Sequence, residues 1–170
     1  MSKIYQRNIV AKIYKLIPIT LLFISVLNEV DFNNLGMKYF SFNFAYILIF
    51  YYSLKKTEGF SYSLIFIAGL FNDVVVGTPM GISSLIYLLL CGAASYLRNI
   101  TLRPNLMKDW IFFLITISIV KSISYLVLTF IFGYEVILFD QIINIIFTFI
   151  FYLIFIYLFD FIRIYFMGRY

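Results

Sequence analysis

Few residues in this chain have side chains suited to chemistry. There are eight carboxylates, one cysteine (Cys91) and no histidine among 170 residues. The missing imidazole removes the usual near-neutral general base and the commonest zinc and haem ligand. A lone thiol makes no disulfide framework. Apart from Glu29 with Asp31 and Glu135 with Asp140, the carboxylates are separated from one another by long apolar stretches. No paired acid and base, nucleophile elbow, phosphate loop or metal-spaced set can be read from their spacing. The expectation is therefore a chain with no catalytic apparatus, no cofactor and no metal site. Two charges stand out because they lie inside apolar stretches, Asp73 and Lys121. In a hydrocarbon environment an ionised side chain costs at least a few kcal/mol and usually faces protein with a partner.

That environment is what the composition implies. Hydrophobic residues make up 64% of the chain, aromatic ones 22% and charged ones only 12%, with a mean hydropathy of +0.99. A soluble domain carries roughly 25% charged residues, so this chain cannot cover itself with a wetted surface. The net charge of +5 and pI near 9.2 fit the cation excess of cytoplasmic loops better than a nucleic-acid footprint, because no basic run is set in a soluble fold. The N-terminal cations before Leu16–Leu27 imitate a secretory signal, but Ser25-Val26-Leu27-Asn28 offers no small-x-small cleavage pattern. An uncleaved first helix is expected.

Six apolar stretches, about 13–27, 39–54, 60–76, 80–97, 110–132 and 141–159, predict a single all-α membrane domain over 1–170, a six-transmembrane-helix bundle. The second is short for a crossing. With six crossings, eleven of the 13 Lys and Arg residues fall on one side, Lys55, Lys56, Arg98, Arg103 and Lys108 among them, while Glu29, Asp31 and Glu135 fall on the other. The positive-inside rule then places both termini in the cytoplasm. The sequon Asn99-Ile100-Thr101 is on that side too, and so is discounted.

The densest signal runs from Ile67 to Gly81. Gly69, Asp73, Gly77 and Gly81 recur every four residues, which puts small residues and one carboxylate on a slowly drifting helix face. Thr78-Pro79 reads as a helix start, hydroxyl cap followed by proline, so a tight hairpin with the next helix is expected. Two readings of the glycines stand: close helix packing, or a broken helix that faces a ligand. Asp73 and Lys121 each lie 13 residues beyond an expected helix start, Phe60 and Lys108. At 1.5 Å per residue that is about 20 Å deep for both. Lys121 also shares a polar stripe with Ser118, Ser122, Tyr125 and Thr129. An intramembrane Asp73–Lys121 ion pair is one expectation; two charges that reach water separately is the other.

The run Gly69-Leu70-Phe71-Asn72-Asp73-Val74-Val75-Val76-Gly77-Thr78-Pro79-Met80-Gly81, with Ile82 to Leu90 after it and Tyr51-Tyr52-Ser53-Leu54-Lys55-Lys56 before it, resembles the rod shape-determining protein MreD family. The motif covers about forty residues; elsewhere the likeness is one of hydropathy. The resemblance implies a non-catalytic scaffold of the bacterial cell-elongation machinery in the cytoplasmic (inner) membrane, engaged in cell-shape maintenance and lateral peptidoglycan synthesis. It implies as partners an MreC-like bitopic membrane protein and, through it, MreB filaments, RodA and penicillin-binding protein 2. Gly69, Asp73, Gly77, Pro79 and Gly81 carry over as motif positions, whereas Lys121 does not. The family is also similar in fold to the substrate-binding subunits of energy-coupling-factor vitamin transporters, which implies a second reading as a solute-binding subunit. Those subunits dock through an alanine-spaced first helix, and Leu16–Leu27 contains no alanine, which favours the scaffold.

Overall fold

The computed structural model describes residues 16–25, 42–57, 60–101, 105–135 and 137–167. Six helices account for most of them: α1 (Leu16–Ser25), α2 (Phe44–Leu54), α3 (Tyr62–Val76), α4 (Ile82–Ile100), α5 (Leu106–Leu126) and α6 (Leu138–Met167). No strand occurs among the described residues. The expected N-terminal cations, the flanks of α1, and residues 39–41 of the second stretch lie outside the described residues.

Helix starts follow local chemistry. Asn43, Ser61 and Asn105 each precede a helix in extended conformation and accept a backbone N–H through the side chain, from Tyr46, Leu64 and Met107 respectively. Each thereby satisfies one of the donors a helix start leaves open. α5 begins at this cap, four residues before the expected Trp110, and runs on through a π-helical turn, Val127–Ile131. α6 is longer than expected at both ends. Asp160 and Arg163 lie on one face at i and i+3, pair at 3.0 Å, and let the helix run past its charged residues.

α2 is the centre. Every residue from Ala45 to Ser53 is buried, which accounts for its lack of a polar face. It packs against α4 and α6; α3 packs mainly against α4, and α5 bridges α4 and α6. Aromatic rings fill the space between α2, α5 and α6. Phe113 stacks on Tyr152 at 4.1 Å, and Phe50 meets both rings. Trp110 stacks on Phe149 at 4.3 Å and donates its indole N–H to the Phe149 carbonyl.

The outside is apolar. Ile111, Ile115 and Ile119 of α5, and Ile142, Ile146, Ile150 and Ile154 of α6, form exposed ridges at four-residue spacing. Two helical stretches, Leu106–Ile131 and Leu138–Tyr165, are long and apolar enough to cross a membrane. α2 is not: its 11 residues rise about 17 Å.

Candidate functional site

The motif residues come together where α3 turns into α4. Gly69, Asn72 and Asp73 occupy the buried face of α3. α4 approaches so closely at Gly69 that a Cβ there would overlap the Ser84 backbone and sit 2.8 Å from its Oγ. The Ser84 hydroxyl donates to the Phe66 carbonyl at 2.9 Å, and the Asn72 amide donates to Ser83 Oγ at 3.0 Å. Small residues thus set the distance and side-chain hydrogen bonds lock it, a mode of close approach that does not depend on hydrophobic burial between the helices.

Asp73 is fully buried at the last turn of α3 and organises everything after it. Its carbonyl accepts the N–H groups of Gly77 and Thr78, the bonding that closes a helix through a left-handed residue. Gly77 supplies that residue, with φ +77°. Its carboxylate accepts three more hydrogen bonds: Oδ1 from Thr78 Oγ1 at 3.0 Å and from the Ser83 N–H at 2.9 Å, Oδ2 from the Gly81 N–H at 2.7 Å. Gly81, also in left-handed conformation, is the N-terminal cap residue of α4 and has no side chain with which to cap. Asp73 reaches across from the preceding helix and caps α4 in its place. A negative charge at that helix start is favoured by the α4 dipole as well. Chemically, a carboxylate already accepting three donors from its own hairpin is a tie between two helices.

Two expectations are corrected here. Thr78-Pro79 does not start the fourth helix: α4 begins at Ile82, and Thr78 spends its hydroxyl on Asp73. Pro79 sits in the turn and contributes its carbonyl to the Ile82 N–H at 3.4 Å. The Asp73–Lys121 ion pair does not form either. The Lys121 ammonium lies 5.1 Å from the centre of the Tyr46 ring, and Tyr46 meets Tyr87 edge-on. The physical reason is proximity. Asp73 is three residues from the end of its helix, so the returning chain brings backbone N–H groups to it before any side chain of α5 arrives. Of the stripe expected to carry Lys121 inward, Ser118, Lys121, Tyr125 and Thr129 are half-buried. Asp109, Phe113, Thr116, Ile117, Val120 and Ser124 form the buried face of α5, and Ser122 is exposed.

Asn72 and Ser83 belong to the site although the glycine spacing did not flag them. Their signal was available: a polar residue beside the carboxylate and a serine pair directly after the turn, both in otherwise apolar sequence. The far side of the turn is touched once more, by Tyr134, whose hydroxyl donates to the Gly77 carbonyl at 3.4 Å. Among the described residues no group of three or more acidic or cysteine side chains is placed to hold a metal ion. No family model, curated protein or solved structure matches the chain.

Proposed function

We propose that the protein is a polytopic inner-membrane scaffold of a bacterial cell-elongation machinery, with both termini in the cytoplasm, of the kind the MreD resemblance implies. Its partners on this reading are an MreC-like bitopic membrane protein and, indirectly, MreB filaments, RodA and penicillin-binding protein 2. The observation that carries the proposal is the state of Asp73. The motif's one ionisable group is consumed by Thr78, Gly81 and Ser83 of its own hairpin, so the motif serves to fix the geometry of two helices. The isoleucine ridges of α5 and α6 support embedding in lipid, the solvent in which such surfaces carry no penalty.

The test is depletion in a rod-shaped host. The expected outcome is rounding of the cells and dispersal of the elongation machinery, with the protein retained in membranes after an alkaline carbonate wash. The second reading, a solute-binding transport subunit, is favoured by one feature: the Tyr152 hydroxyl, fully buried between α5 and α6 with no hydrogen-bond partner. Intact cell shape with loss of uptake of one vitamin would decide for it.

A further inference from the structure

At the end of the bundle opposite the Asp73 turn, α2 and α4 finish beside the start of α3. The Ser53 carbonyl in the last turn of α2 accepts two donors, the Lys56 N–H at 3.3 Å and Arg98 Nη1 at 2.6 Å. One contact therefore seats Arg98, and its remaining N–H groups have no partner among the described residues. Lys56 is exposed on the same turn and held at φ +50°. One helical turn before Arg98, Ser95 shares a hydrogen bond with the exposed Tyr62 hydroxyl at 3.2 Å. The first turn of α3 contributes no carboxylate to this corner. By contrast, Arg163 at the same end is already paired with Asp160, which also accepts the Tyr51 hydroxyl.

We infer that this corner, built from Arg98, Lys56 and the Tyr62–Ser95 hydroxyls, binds the phosphate headgroup of an anionic phospholipid. Guanidinium presents a planar fork that matches phosphate oxygens, and here most of that fork is unspent. The hydroxyls add neutral donors that a phosphodiester can accept from. The rest of the surface selects a lipid over a free anion. Phe66, one turn beyond Tyr62 on α3, and Tyr96, before Arg98 on α4, lie on the inner side of the polar corner and are exposed, so an acyl chain leaving the headgroup meets apolar side chains immediately. Tyrosines at this level are the usual marker of a membrane interface. The inference rests on the membrane reading and shares its orientation, since anionic headgroups attract cations set at the cytoplasmic surface.

The test is native mass spectrometry of the full chain released from nanodiscs of equimolar phosphatidylglycerol and phosphatidylcholine, with retained lipids counted by class. Phosphatidylglycerol is expected to be retained preferentially, and Arg98→Gln to lower that preference about fivefold, the contribution of one cation near a charged surface. Lys56→Gln should reduce it in the same direction, whereas Arg163→Gln should leave it unchanged. If Arg98→Gln does not fold because the α2 end loses its contact, Arg98→Lys keeps the charge and a donor to Ser53 while removing the fork, and should still lose preference. Equal retention of the two lipids, or a preference indifferent to both Arg98 and Lys56, overturns the inference. Displacement of the lipid by inorganic phosphate at equal concentration overturns the choice of a lipid. Extraction of the chain by alkaline carbonate would instead remove the membrane reading beneath it.

Discussion

The α3–α4 hairpin and the α5–α6 pair are held together by opposite means. In the hairpin, side chains are small and the contact is polar: Gly69 against Ser84, Asn72 on Ser83, Asp73 on three donors. Between α5 and α6 the contact is made by rings, Phe113 on Tyr152 and Trp110 on Phe149, with one hydrogen bond from the indole to a main-chain carbonyl. The first interface has no room to add an atom. The second depends on volume and is damaged by taking atoms away.

The sharpest way to break that contrast is to add bulk to one side and remove it from the other. Gly69→Val should have the largest effect of any substitution considered, because its branched Cβ meets Ser84 main chain, which a rotamer change cannot relieve. The expected result is loss of folded protein, read as aggregation on size-exclusion chromatography in mild detergent. Phe113→Ala, on the other side, should fold and lose about 3–5 kcal/mol, the usual cost of deleting a buried ring. Survival of Gly69→Val at wild-type stability would mean that the hairpin is looser than its geometry.

Asp73→Ala should come next, at about 3 kcal/mol, since it strands the buried N–H groups of Gly81 and Ser83 and removes the cap of α4. Asp73→Asn keeps one acceptor oxygen and should recover part of the loss. Combined with Lys121→Met, Asp73→Ala should behave additively in thermal unfolding, because residues without shared partners do not couple. A coupling above about 0.5 kcal/mol would reinstate an interaction between the two charges. The smallest effect belongs to Tyr152→Phe. It leaves the stacked ring in place and deletes an unpartnered buried hydroxyl, so stability should be unchanged or higher by about 1 kcal/mol.

The hairpin was legible because its glycines are required by geometry that leaves a trace. Close approach at Gly69 and a left-handed turn at Gly77 both exclude other residues, so the four-residue spacing marked where two helices meet. The role of Asp73 was not legible, because its partners at Gly81 and Ser83 are main-chain N–H groups, which every residue except proline carries. Lys121 looked like the natural partner for the reason that only side-chain charges can be seen in a sequence. α2 was missed as the centre of the bundle. A helix buried on all faces is apolar all round, and its pattern names no neighbour. Asp109 was overlooked altogether, since no pattern in the sequence singles it out, yet it is buried at the start of α5.

The brevity of α2 has a consequence for how the protein is made. A segment of 11 residues is too short for an insertion machinery to recognise as a stable crossing by hydropathy alone, which needs about 20. With its cap at Asn43 tied to Thr148 of α6 by a 3.0 Å hydrogen bond, the helix waits for a partner 105 residues downstream in synthesis. On the membrane reading its final placement is therefore a late event, reached only after the ribosome has delivered α6.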